Sequence, residues 1–299
     1  MKKKTADIFL VAGGSESRRR GDPLLAGILA RIGQARPAVA YIGAASNDNR
    51  VFFMWVASLL KKAGAGSVQL APLASRRADL AGARRLLQEA DLVFVSGGDV
   101  EAGMGVLERT GLCGLIVELH QAGKPFIGMS AGSIMLSRGW VRWADPDDDR
   151  TAAAFPCLGL APLFCDTHAE KEDWQELKAL LRLTGAGMGF GIPSGAALQI
   201  GAGGSLSALG KPVQRLTRTA AVDVELHHAV FGEFVDRRGI VGAAAAGDDA
   251  GVEEDGVPLR RQRGLQHAAQ RGRCAGRPAR RRLPLRCAYP AHEPAQRHR

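Results

Sequence analysis

Nowhere in this chain do about 18 apolar residues run together, which leaves no segment that reads as a membrane-spanning helix. Its five cysteines, Cys113, Cys157, Cys165, Cys274 and Cys287, are odd in number and include no C-x-x-C pair. That spacing argues against a disulfide framework and against a zinc or dithiol centre, so reduced thiols in a cytoplasmic protein are expected. The start, Met1-Lys2-Lys3-Lys4, is charged like a leader, but the apolar run behind it, Ile8 to Ala12, is too short for a signal-peptide core and fits a strand. No internal repeat is present, which excludes solenoids and propellers.

A charged body is also missing. Residues 257–299 hold twelve arginines against the single acid Glu293, a net +11, whereas the whole chain carries +10. The first 256 residues are therefore within one charge of neutral, and the high isoelectric point belongs to the tail. A nucleic-acid-binding body is excluded on that ground.

What the chain does have is alternation. Short apolar, β-branched runs that end in glycine or small polar residues alternate with amphipathic stretches, the pattern of a parallel sheet covered by helices. The runs predict strands at Ile8 to Ala12, Ala38 to Ile42, Ser67 to Leu70, Leu92 to Val95, Phe126 to Ile127, Leu163 to Cys165 and Gly189 to Ile192. Val51, Trp55, Val56, Leu59 and Leu60 lie on one helical face, and Lys61, Lys62 and Gly64 suit that helix's end. Further helices are predicted over 78–90, 106–122 and 173–183, with an edge strand at Val222 to Leu226.

After about Arg237 the alternation stops. Residues 257–299 contain only five of the Leu, Ile, Val and Phe set, too little apolar surface to offset the entropy of ordering. The expected division is thus an α/β domain over 1–236 and a disordered tail over 237–299. The Arg, Ala, Gly and Pro bias of the tail fits both a genuine basic segment and a gene read out of frame.

The chemistry is concentrated in Lys124-Pro125-Phe126-Ile127-Gly128-Met129-Ser130-Ala131-Gly132-Ser133, a strand, a G-x-S-x-G turn and a helix start. Small residues on both sides of Ser130 permit the tight, strained turn that lifts a nucleophilic hydroxyl above a sheet. The helix behind it directs free amides toward the same spot. A serine needs a base, and of the seven histidines three lie in the tail. His120 sits on a predicted helix, where a structural role is expected, and His227 and His228 follow the late edge strand. His168 closes the run Leu163 to Thr167 at the carboxyl edge of the sheet, where the elbow also lies, and is the best-placed base. The orienting acid is sought in Asp145-Pro146-Asp147-Asp148-Asp149, a dense acidic loop, while Asp166 points parallel to its i+2 neighbour His168. Upstream, Ser96-Gly97-Gly98-Asp99 ends another strand, and an amide there could join that of Ala131 in an oxyanion hole.

With these residues, the chain resembles the serine peptidase family that includes dipeptidase E and cyanophycinase, in the class I glutamine-amidotransferase-like superfamily. The resemblance rests on Ser96 to Asp99, on Gly128 to Ser133 and on Asp166-Thr167-His168, and covers about residues 5–215. It implies a flavodoxin-like, doubly wound, mostly parallel sheet and hydrolysis of small peptides through an acyl-enzyme. Carried over residue by residue, Ser130 is the nucleophile, His168 the base, and Gly98 and Ala131 the amide donors. An ungapped count from the serine places the acid at Asp145, with Asp148 as the second choice. The resemblance calls for no cofactor and no metal. A small peptide is the expected partner, with no nucleic acid on the folded domain and no membrane; a homodimer is one open assembly. The rival readings are an amidase or esterase with the same triad, a non-catalytic binding module on this fold, and nucleic-acid binding by the tail.

Overall fold

The computed structural model describes residues 6–13, 22–145, 148–185, 187–219, 222–227, 232–235 and 241–243. All lie in the unit Met1–Val252. Five strands, β1 (Ile8–Val11), β2 (Ala38–Ile42), β3 (Ser67–Ala71), β4 (Leu92–Val95) and β5 (Phe126–Met129), form a parallel array in the order β3-β2-β4-β5-β1. All five coincide with apolar runs of the sequence. The inner strands β1, β4 and β5 are buried on both faces, as parallel strands between helix layers must be, while the edge strand β3 leaves Gln69 exposed. In β1, for example, Ile8 and Leu10 join one core while Phe9 and Val11 join the other.

Helices α1 (Pro23–Arg31) and α2 (Arg50–Lys62) cover the Phe9 face with Leu25, Ile28, Leu29, Val56 and Leu60. The opposite face is covered by α3 (Leu80–Glu89), α4 (Val100–Arg109), α5 (Cys113–Gln121) and α6 (Ala131–Leu136). Side chains cap several of these helices: Asp22, Asn49, Asp79 and Asp99 each accept an amide of the first turn. The single helix expected over 106–122 is two helices. Asp99 starts the first at Val100, and Gly111, with φ of 65°, turns the chain between them.

Beyond β5 the chain builds a hairpin, β6 (Gly139–Trp143) with β7 (Ala152–Pro156), and then β8 (Phe164–Thr167). After α7 (Gln175–Thr184) come β9 (Gly187–Ile192), β10 (Ala196–Ile200), β11 (Leu206–Gly210), β12 (Gln214–Thr219) and β13 (Val222–His227). Strands β14 (Gly232–Val235) and β15 (Val241–Ala243) follow. The mostly parallel main sheet is extended by β10, β11, β14 and β15 on the β1 side. Strands β8 and β9 do not enter it. They pair in parallel within a second sheet, order β13-β12-β9-β8, over which α7 packs with Trp174, Leu177, Leu180 and Leu181. The expected edge strand at 222 is indeed at the edge of that sheet.

Strand β15 lies past the boundary expected at 237 and pairs with β14, so chain order reaches at least Ala243. The rest of the expected tail lies outside the described residues. Among the described residues Cys113, Cys157 and Cys165 form no disulfide, and no described helix is long and apolar enough to cross a membrane.

Candidate active site

Ser130 sits between β5 and α6 with φ of 54° and ψ of −122°, a backbone conformation that a residue with a side chain adopts only under constraint. Its amide donates to Val11 O at 2.8 Å, which ties the turn to the end of β1. The glycines of the motif are required by close approach. A Cβ on Gly132 would lie 2.1 Å from Val95 O, and one on Gly128 would lie 2.7 Å from Gly132 O. The half-buried Ser130 hydroxyl faces Gly97, where a Cβ would come within 3.1 Å of Ser130 Cβ. Ser133 and Ser137, by contrast, are fully buried and donate to backbone carbonyls, Ser133 to Val11 O and Gly128 O and Ser137 to Ile134 O. Their hydroxyls are spent on the fold.

Gly98 follows β4 with φ of 144°, and its backbone packs so tightly on Ala45 that a Cβ would lie 2.0 Å from Ala45 O. Asp99 is a helix cap, accepting from Ala102 N at 2.7 Å. Ala131 opens α6, where an amide has no acceptor within its own helix. Both backbones of the expected oxyanion hole thus lie at the carboxyl ends of adjacent strands, β4 and β5.

His168 ends β8 with φ of 61°, the second strained residue of the site, and its amide donates to Ile192 O at 3.2 Å. Its ring and the elbow residue Met129 both flank Gly13. A Cβ there would be 3.5 Å from Met129 Cγ and 3.8 Å from His168 Cε1. Burial holds the imidazole below its ordinary pKa, while the Glu170 charge pulls the other way, so the ring is kept neutral and able to accept a proton. Its Nδ1 lies 3.4 Å from Ser194 Oγ. Ser194 occupies the turn between β9 and β10, and its amide donates to Glu170 Oε1 at 3.1 Å. Burial acts to raise the Glu170 carboxyl. Hydrogen bonds from its own amide and from the Ser194 amide and hydroxyl, together with the His168 charge, hold it below the usual carboxylate range.

The acidic loop is organised differently from the expectation. Asp148 accepts a fork from Arg150, 2.9 Å to each oxygen, which holds its carboxyl low. Thr151 closes the loop, with Asp145 N donating to its hydroxyl at 3.0 Å and that hydroxyl bonding back to Asp145 O and Asp148 O. Asp147 and the Asp149 side chain lie outside the described residues. Among the described residues, His168 meets Ser194 and feels the charge of Glu170. His120 is structural as expected: it is buried, with Nε2 3.1 Å from Ala6 O. His227 closes β13 and His228 lies outside the described residues.

Sequence reading missed Ser194 and Glu170 as partners of His168. The available signals were slight: Pro193-Ser194-Gly195 as a turn between two apolar runs, and Glu170 in the polar stretch after the histidine.

Three comparisons bear on this geometry. The model of peptidase family S51 matches residues 8–206, which include the elbow, His168 and Ser194. Among solved structures, the chain is similar to the crystal structure of a peptidase from an acI-B1 Actinobacterium, at 21% identity and a TM-score of 0.59 over 77% of this chain and 97% of that one. It is also similar to a putative peptidase E protein from Listeria monocytogenes EGD-e, at 20% identity and a TM-score of 0.51 over 69% of this chain and 99% of that one. At those identities the two structures speak for the fold. No curated protein matches the sequence.

Proposed function

Since the chain belongs to peptidase family S51 and is a hydrolytic enzyme of the serine peptidase kind, we propose that Ser130 and His168 perform the hydrolysis. The observation that carries this reading is the strained Ser130 backbone, φ 54°, held between the ends of β5 and β1 as an elbow requires. Ser130 Oγ adds to the carbonyl carbon of the scissile bond as His168 Nε2 takes its proton. The resulting oxyanion accepts the amides of Gly98 and Ala131. Collapse breaks the C–N bond, the imidazolium returns the proton to the departing amine, and water then hydrolyses the Ser130 ester by the same sequence in reverse. No metal or organic cofactor enters any step.

Small peptides are the substrate class of this reading, with Asp-X and β-aspartyl dipeptides first to test, on the resemblance to dipeptidase E and cyanophycinase. A cytoplasmic setting belongs to it as well, on the odd number of cysteines and the lack of a C-x-x-C pair.

A fluorophosphonate probe tests the assignment without knowledge of the substrate. Wild type should be labelled once, at Ser130. Ser130→Ala should fold, escape labelling and lose on the order of 10⁶ in turnover. Labelling at Ser133 or Ser137, or no labelling of folded wild type, would refute it. Turnover of esters with none of the dipeptides would replace the peptide substrate by an ester.

A further inference from the structure

His168 needs a partner at Nδ1 that selects its tautomer, and among the described residues no carboxylate is in direct contact there. What it offers is Ser194 Oγ at 3.4 Å, with Glu170 behind it. Catalytic hydrogen bonds are often long before substrate binds and tighten afterwards. Three separate anchors fix Ser194 in this place. Gly195 N donates to Gly13 O at 2.9 Å, Ala196 N to Pro193 O at 3.0 Å, and Ser194 N to Glu170 Oε1 at 3.1 Å. The first of these pins the β9–β10 turn to the end of β1, beside the elbow.

We propose that Ser194 and Glu170 together take the part of the orienting acid: His168 Nδ1–H donates to Ser194 Oγ, and the Ser194 hydroxyl donates to the Glu170 carboxylate. Both are positioning residues, and the proposal rests on the reading of Ser130 and His168 as nucleophile and base. With Oγ–H committed to Glu170, only the lone pairs of Ser194 face the imidazole. The neutral ring is then protonated at Nδ1, and Nε2 is left free for the Ser130 proton. When that proton arrives, the positive charge on the ring is met by the Ser194 dipole, polarised by Glu170. No proton passes beyond Nδ1, and no bond to Ser194 or Glu170 forms or breaks. Glu170 is solvent-exposed, so its share is screened and weakens as salt rises. The other acids near β8 bear on Asp166, which feels the charges of Glu176, Glu172 and Glu170. The acid whose charge bears on the imidazole is Glu170.

The test combines the rate of fluorophosphonate labelling with a ¹⁵N titration of His168 in the full chain, for wild type, Ser194→Ala, Ser194→Thr, Glu170→Gln and Asp145→Asn. Ser194→Ala should slow labelling by about 10- to 100-fold, the size of one hydrogen bond to a charged group. It should also remove the preference of the neutral ring for the Nδ1–H tautomer. Ser194→Thr, which keeps the hydroxyl, should restore both. Glu170→Gln should lower the His168 titration midpoint and slow labelling less, by up to about tenfold. A merely structural role for the turn would leave tautomer and midpoint where they were. The proposal is overturned by unchanged His168 nitrogen shifts in both Ser194→Ala and Glu170→Gln, or by a greater loss of labelling in Asp145→Asn than in Ser194→Ala. If wild type is never labelled, the hydrolytic reading fails, while the His168 nitrogen spectra still decide the Ser194 contact.

Discussion

Asp166 stands two residues before His168 and shows how an acid near a reactive centre can be made harmless. It is 6% exposed, its Oδ1 accepts Thr167 N at 2.7 Å, and its Oδ2 has no partner among the described residues. Burial, and after it the negative charge of Glu176, push its carboxyl up to about 8. The side chain is therefore protonated and neutral in the folded protein at neutral pH. In the unfolded chain it ionises in the ordinary carboxylate range. Between that range and about 8 the folded state holds more protons than the unfolded one, so this group costs stability progressively as pH rises and costs nothing below the window. Asp166→Asn keeps the acceptor for Thr167 N and removes the titration. The thermal midpoint of this variant should fall less than that of wild type between pH 5 and pH 8, and it should be the more stable of the two at pH 8. Parallel pH profiles for the two proteins would disprove the assignment.

Among the elements, the elbow is the one whose composition leaves least room. Its glycines are dictated by neighbouring backbone, which cannot move aside as a flexible side chain can. Gly132→Ala places a Cβ 2.1 Å from Val95 O, so α6 must shift off β4. The expected cost is about 1–3 kcal/mol, a drop of several degrees in thermal midpoint, together with slowed labelling of Ser130. Gly105, inside α4, is the counter-example, since a Cβ there meets nothing within 4 Å. Gly105→Ala should raise stability by about 0.5–1 kcal/mol through helix propensity alone and leave labelling unchanged. Differential scanning calorimetry of the two variants reads both signs in one experiment. The helix break at Gly111 was harder to see beforehand, because the apolar spacing over 106–122 runs through it. A turn of three residues hardly disturbs a period of 3.6, and the missing clue was that Asp99 caps a helix starting well before the periodic stretch.

On the scale of the molecule, the composition of residues 257–299 predicts that they contribute nothing to the folded unit. A chain ending at Val252, the last residue of the first unit, should keep the thermal midpoint and the Ser130 labelling rate of the full protein. A fall of more than about 2–4 °C would show that the tail contributes on the order of 1 kcal/mol to the fold. Although α1 was not read and α4 and α5 were read as one helix, the five parallel strands, α2, α3 and the Ser130 elbow were legible in the residues themselves. Each is announced by a local pattern: an apolar run ended by glycine, a 3.6-residue period, or a serine between small residues. His168 was legible for the same reason, since it terminates such a run. Which sheet β8 and β9 would join was not, because an apolar strand reads the same in any sheet that buries it. The partner of His168 depended on that choice. Ser194 lies 26 residues from His168 and reaches it only because β8 and β9 pair in a second sheet, while the turn after β9 crosses to the first and is caught by Gly13 O. Local sequence determined the fold class and the strained turn at Ser130, since both follow from short-range sterics and burial. Tertiary structure decided what stands behind His168, because a contact between distant residues exists only once the turn after β9 has been carried from one sheet to the other.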